Sequence, residues 1–193
     1  MHEGHLHIAR AALQGLALDA LLLVPAAQPP HKRGRRLAPG TDRLALLELA
    51  CAGDPRLRPD PVELERGGVS YSYDTARALH ARSPGVALYS VIGADTLADL
   101  PTWWRLRELA ALVTFCPVTR PGWTLDLTPL AAAIAPRDLA RIREHVVEAQ
   151  PHPASSTAIR AALAAARRPV GLADAVYAEI LARGLYGPSD GGT

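Results

Sequence analysis

The chain has 193 residues, 49% of them hydrophobic, enough for one well-buried core and too few for two comfortable domains. Its net charge is only +2, with acids and bases interspersed, which excludes the clustered positive field of a dedicated nucleic-acid binder. Cys51 and Cys116 form neither a disulfide framework nor a thiol cluster at metal spacing, and no apolar run approaches the roughly 20 residues of a membrane span. A single soluble, cytoplasmic domain over residues 1–187 is expected, followed by a polar disordered tail over 188–193, with no membrane partner; a homo-oligomer is compatible with the sequence.

Leu6, Ala9, Leu13 and Leu16 recur at helical spacing and predict an N-terminal amphipathic helix. Residues 20–24 are all apolar and stop at Pro25, as a buried strand does. Residues 25–40, rich in Pro, Gly and Arg, read as a loop, and Thr41 is placed to cap a helix with Leu44, Leu47 and Cys51 on one face. A strand is expected over 62–64, then Gly67-Gly68 and a helix near 74–80. Residues 86–92 read as a continuous apolar strand ending in Gly93-Ala94-Asp95, 112–116 as another before a turn at Arg120-Pro121-Gly122, and 145–147 as a short late strand. Two helices close the chain, one opening at Ser155-Ser156 with Ile159, Leu163 and Ala166 inward, the other carrying Val176 and Ile180 with a cap at Gly184.

Apolar strands alternating with amphipathic helices predict an α/β fold, a doubly wound, Rossmann-like parallel sheet with helices on both faces. Such folds bind ligands beyond the carboxyl ends of their strands. That rule selects the loop from Pro25 to Lys32, Gly93-Ala94-Asp95 and the turn after Cys116 as one neighbourhood.

Several residues there could carry chemistry, each beside a plainer role. His2-Glu3-Gly4-His5 puts two imidazoles at the mouth of a helix, where orphan N–H groups and the helix dipole favour an anion; alternatively His2 is a loose terminal residue and His5 or His7 a solvated one. A zinc site is disfavoured, because HExxH needs another spacing and no third ligand is evident. Ser155, Ser156 and Thr157 place three hydroxyls at a helix start with Arg160 one turn in, a set that suits a polyphosphate or else an ordinary N-cap. Lys32, the only lysine among 21 basic residues, sits with His31 in a loop stiffened by Pro29-Pro30, which could equally be a solvated basic loop. Asp95 is a ligand contact or the N-cap of a short helix. Of Trp103 and Trp104, one suits the core and the other a stacked heteroaromatic ring, while Tyr71 and Tyr73 are polar handles or core-and-cap residues.

Taken in order, His2-Glu3-Gly4-His5, Pro29-Pro30-His31-Lys32, Ser70-Tyr71-Ser72-Tyr73-Asp74-Thr75, Gly93-Ala94-Asp95-Thr96-Leu97, Pro101-Thr102-Trp103-Trp104, Arg120-Pro121-Gly122 and Ser155 to Arg160 resemble the bacterial nicotinate-nucleotide adenylyltransferases. These are nucleotidyltransferases marked by (H/T)xGH and SSTxxR motifs. The resemblance implies transfer of the adenylyl group of ATP to nicotinate mononucleotide, with Mg2+, giving deamido-NAD and pyrophosphate. It implies that His2 and His5 stabilise the transferring phosphate, that Lys32, Ser155, Ser156, Thr157 and Arg160 hold the triphosphate, and that Asp95 contacts the adenosine ribose. Ser72 and the Trp103 region would hold the nicotinate, with Arg120 near the bound nucleotide. A superfamily member acting on phosphopantetheine is disfavoured by the segments at Ser70 and Trp103; one using nicotinamide mononucleotide, and a non-catalytic nucleotide-binding relative, are the alternatives.

The chain departs from that pattern at its start. Relatives of this kind open with a strand and a GGxFDPxH segment that runs into the histidine motif, whereas Met1 here directly precedes His2. The expectation is that the middle strand and both glycines are missing, that the apolar face of Leu6, Ala9, Leu13 and Leu16 is uncovered, and that translation begins upstream of a GTG codon read as valine in the longer frame. Ala154, where isoleucine is usual, is expected to matter only for packing.

Overall fold

The computed structural model describes residues 1–30 and 37–187. Five short strands form two parallel sheets. β1 (Leu21–Leu23) pairs with β2 (Leu57–Pro59), and helix α2 (Gly40–Cys51) makes the crossover between them. β3 (Tyr89–Gly93), β4 (Thr114–Thr119) and β5 (Val147–Glu148) form the second sheet, with Gly93 opposite Val118 and Val118 opposite Val147. Their crossovers contain α5 (Leu106–Leu112) and α6 (Pro136–Glu144), as parallel pairing requires. The main core lies on this second sheet, where Phe115 packs among Leu100, Leu109, Leu130 and Ile142.

The first helix, α1 (Glu3–Gly15), touches both sheets. Leu6, Ala9 and Leu13 pack with Leu47, Cys51 and Leu57, while Ala11 and Leu16 lie against Val118 and Val147 on the other side. Gly15 is small for this contact: a Cβ there would stand 3.2 Å from Val147. The expectation that this apolar face would be uncovered is therefore corrected, since Leu6, Ala9 and Leu13 are only 2%, 4% and 1% exposed. Neither β1 nor β3 has a ladder partner on its second side among the described residues. Leu22 in β1 and Tyr89 in β3 are exposed, whereas every residue of β4 is buried, the state a central parallel strand normally has.

Local chemistry explains the other departures. Residues 62–64, expected as a strand, begin the short helix α3 (Val62–Arg66): the Asp60 carboxylate accepts the Val62 N–H at 3.0 Å and nucleates a turn. Within α3 the buried Glu63 accepts the Thr75 hydroxyl at 2.5 Å, tying it to α4 (Ser72–Arg82). Thr41 is not a cap, because α2 already begins at Gly40 after Pro39; its buried residues are Leu46, Leu47 and Cys51, with Leu44 only half-buried. In α7 (Ser156–Ala164) Ile159 and Leu163 point inward, but Ala166 lies beyond the helix at φ +50° and is exposed. The last helix, α8 (Asp174–Ala182), ends as predicted: Gly184 takes φ +62°, and N–H groups of Gly184 and Leu185 bond to the carbonyls of Leu181 and Ile180.

Candidate active site

Parallel pairing brings the ends of β3, β4 and β5 to one edge, and two clusters of polar residues collect around the strand ends and α1. The first is built on the start of α1. His2 is the extended N-cap, and its Nε2 lies 3.0 Å from Ser156 Oγ, a contact across 154 positions of sequence. The His2 and His5 rings lie 3.8 Å apart between centroids, tilted by 39°. Of the first-turn donors expected to await an anion, Glu3 N–H is taken by the Gly171 carbonyl (2.9 Å) and His5 N–H by the His2 carbonyl (2.9 Å). Gly4 N–H is left without an acceptor among the described residues.

Desolvation, followed by the neighbouring His5, the N-terminal ammonium, His152 and Arg160, pushes the His2 pKa down to about 4. Desolvation and the same ammonium lower His5 as well. Both rings are thus neutral near pH 7, hydrogen-bond donors rather than cations. His2 Nδ1 is buried without a partner among the described residues. With the proton on Nε2, directed at Ser156 Oγ, only a lone pair is left unpaired there.

Helix α7 faces this pair with its N-terminus. Ser155 plays the plainer role foreseen for it, capping its own helix by accepting the Ala158 N–H at 3.2 Å. Ser156 is the hydroxyl that meets His2, while Thr157 and Arg160 are exposed on the first turn. His2, Ser156, Arg160 and Tyr186 line a small cavity of about 110 Å³ whose remaining wall is apolar. Lys32 and His31, with the tail 188–193, lie outside the described residues.

The second cluster is a cavity of about 290 Å³ lined by Pro30, Ser70, Tyr71, Ser72, Thr102, Trp103 and Trp104. The loop after β1 is held to it by backbone pairing of Ser70 N–H with Gln28 O (2.9 Å) and by Gln28 N–H donating to Ser70 Oγ (3.1 Å). The two tryptophans divide as expected. Trp103 packs on the core, edge-on to Phe115 at 6.3 Å, whereas Trp104 is 57% exposed and lies beside the Tyr71 ring at 5.7 Å.

The structure joins His2, His5, Ser156 and Arg160 in one cluster and Ser72 and Trp103 in the other. Asp95 follows β3 inside a 3-10 turn (Ala94–Ala98) and is exposed; Gly93, not Asp95, is the N-cap. Arg120 is exposed in the turn after β4, where its carbonyl accepts the Trp123 N–H at 3.0 Å. Neither Asp95 nor Arg120 lines the two cavities. His152 and Gly171 stand outside the sequence motifs, and Thr102 enters only within one. His152 accepts the Ala154 N–H through Nδ1 (3.1 Å) and lies beside the His7 ring, Thr102 lines the larger cavity, and Gly171 meets α1. His152 precedes the hydroxyl cluster by three positions, a signal that was available; Gly171 carried none. No group of three or more His, Cys, Asp or Glu side chains able to hold a metal ion occurs among the described residues, and none of their helices is long and apolar enough to cross a membrane.

The cytidylyltransferase-like family matches residues 1–162. A probable nicotinate-nucleotide adenylyltransferase of Solibacter usitatus is 40% identical over 187 residues, 96% of this chain and 93% of the relative. One from Corynebacterium kroppenstedtii is 37% identical over 194 residues, 98% of this chain and 87% of its own length. One from Geobacillus thermodenitrificans is 46% identical over 125 residues, 65% of this chain, and the match spans 58% of that relative's length. Among solved structures, the Plasmodium falciparum nicotinic acid mononucleotide adenylyltransferase complexed with NaAD superposes with a TM-score of 0.64 over 92% of this chain and 90% of that one, at 13% identity. The chain therefore belongs to the cytidylyltransferase-like nucleotidyltransferases, among the nicotinate-nucleotide adenylyltransferases.

Proposed function

We infer that this chain transfers the adenylyl group of ATP to nicotinate mononucleotide, releasing pyrophosphate and forming deamido-NAD. The observation that carries the reading is the neutral His2–His5 pair facing the N-terminus of α7, in a chain that also holds an aromatic-walled cavity at Trp103. In the proposed reaction a phosphate oxygen of nicotinate mononucleotide attacks the α-phosphorus of ATP while the bond to the departing pyrophosphate breaks. Positioning and charge neutralisation supply most of the rate in such transfers, so no covalent enzyme intermediate is needed.

In this scheme the His5 N–H and Gly4 N–H bind the transferring phosphate together with His2, whose Nε2–H turns from Ser156 Oγ to the phosphate as it binds, and Arg160, Ser156, Thr157, Ser155 and Lys32 hold the triphosphate. Asp95 takes the ribose. Ser72 and Trp103 hold the nicotinate ring, with Arg120 nearby. The described side chains offer no ready-made cage for a hard cation, which fits Mg2+ arriving on the triphosphate with phosphate and water oxygens as its ligands. The larger cavity is walled by hydroxyls and aromatic rings and no charged side chain among the described residues, so nicotinate would be recognised by neutral donors. We place the reaction in the cytoplasm, where both nucleotides are substrates.

The open edges of β1 and β3 support one more element of the reading, an upstream strand that pairs between them and ends in a glycine-rich phosphate loop. The test is magnesium- and ATP-dependent pyrophosphate release with nicotinate mononucleotide, on this chain and on one extended by the upstream codons. Activity confined to the extended chain establishes the reaction and the strand together. Activity in both removes the need for the added loop. Two folded but inactive chains that still bind ATP turn the assignment toward a non-catalytic nucleotide-binding protein.

A further inference from the structure

We propose that Gly171 is a positioning residue of the active site: the absence of a side chain there seats the loop between α7 and α8 on Ala154 and α1, and so holds His2 against Ser156. The proposal rests on the adenylyl-transfer reading of those two residues. Gly171 has φ +78°, and a Cβ added to it would lie 2.4 Å from the Ala154 Cβ. Carbon atoms in contact normally stand about 3.5–4.0 Å apart, so a methyl group would force a movement of at least about 1 Å.

The neighbours leave little room for that movement. Ala154 is confined on its other side as well, because a Cβ on Gly4 would stand 2.9 Å from the Ala154 carbonyl oxygen. The Gly171 carbonyl meanwhile accepts the Glu3 N–H at 2.9 Å, bonding the same loop to the first turn of α1. Ala154 is two residues from Ser156, and Glu3 is next to His2. A displacement of the loop is thus passed directly to both ends of the 3.0 Å contact between His2 and Ser156, which an added ångström would break. Other glycines with positive φ, such as Gly67, Gly122 and Gly184, would have nothing within 4 Å of an added methyl group, so they need glycine for backbone conformation alone.

This difference supplies the control. Gly184→Ala, at φ +62° with open space around it, carries the backbone strain without the contact. Gly171→Ala carries both. Ala154→Gly removes the atom that is struck, and the double variant Gly171→Ala/Ala154→Gly keeps the strain but relieves the collision. All four chains, with wild type, are assayed for kcat and KM for MgATP, and the His2 ring is titrated by NMR. Gly171→Ala is expected to lower kcat/KM about tenfold or more and to move the His2 titration upward, toward the ordinary value of about 6.5. Ala154→Gly and Gly184→Ala should stay within about threefold of wild type, and the double variant should recover most of the loss, the mark of two coupled sites.

Gly171→Ala indistinguishable from Gly184→Ala, or a double variant no better than Gly171→Ala, overturns the proposal. Should Gly171→Ala not fold, the double variant must fold and match Gly184→Ala; if it does not, the proposal fails. Inactive wild type would refute the assigned reaction alone, because the His2 titration still reports whether Gly171 sets the ring's environment.

Discussion

Acidification reads the surroundings of His2 directly. Folding takes its pKa from 6.5 to about 4, first through desolvation and then through His5, the N-terminal ammonium, His152 and Arg160. A group whose folded pKa lies below its unfolded value binds a proton more readily in the unfolded chain. Its contribution to stability is therefore complete above pH 6.5 and is lost as the pH falls toward 4. At about 1.4 kcal/mol per pKa unit the displacement sets a ceiling of about 3–4 kcal/mol. The ring is only partly buried, and screening by solvent brings the expected effect to about 1–2 kcal/mol. Urea unfolding followed by tryptophan fluorescence at about pH 7 and about pH 4.5 measures it. The comparison is with His2→Gln, which keeps a neutral donor toward Ser156 and cannot be protonated. Between the two pH values wild type should lose about 1–2 kcal/mol more than the variant, other titrating groups cancelling. Equal losses in the two chains refute the argument.

Three other expectations follow from the same geometry. Phe115→Leu removes an edge-on contact with Trp103 that is worth about 0.5–1.5 kcal/mol; KM for nicotinate mononucleotide should rise about two- to tenfold with KM for ATP unchanged, and an equal rise in both would detach Trp103 from the nicotinate. On the proposed reaction His5→Ala removes one donor to the transferring phosphate and should lower kcat about a hundredfold with little change in KM for ATP; a purely KM effect in steady-state kinetics would assign His5 to ground-state binding. Burial pushes the Cys116 thiol up to about 12 and Cys51 is raised as well, so iodoacetamide should label neither in the native protein and both in urea. Rapid native labelling at neutral pH would contradict the packing described for β4.

The alternation of strands and helices was legible because β1, β3 and β4 lie in mostly apolar runs, but the edges of those runs were not. Residues 112–116 predicted a strand; β4 in fact runs from Thr114 through Pro117 to Thr119, although proline removes a ladder donor. At the other end of the same difficulty, β2 reads only Leu-Arg-Pro between Pro55 and Asp60, too short and too polar to stand out, while the more apolar 62–64 became a helix through the Asp60 side chain. Helices α5 and α6 left little trace, α6 because it buries Asp138 beside Leu139 and Ile142. The site was legible as motifs: the hydroxyls of Ser155 and Ser156 and the imidazoles of His2 and His5 stand out by type and spacing. Their division of labour was not. Ser155 capping its own helix while Ser156 meets His2 depends on a packing between α1 and α7 that no local window contains.

The long sequence separation in that packing also orders events during synthesis. His2 and Ser156 are 154 positions apart, and α1 rests against β5 as well as against α2. A growing chain that has yet to emit its last third can pair β1 with β2 and close α2 over them, but it holds its histidine helix with one flank uncovered. Closing so long a loop is entropically costly and comes late. The His2 and His5 imidazoles are thus made first and placed last, so that a chain released early carries the motif residues without the packing that brings them together.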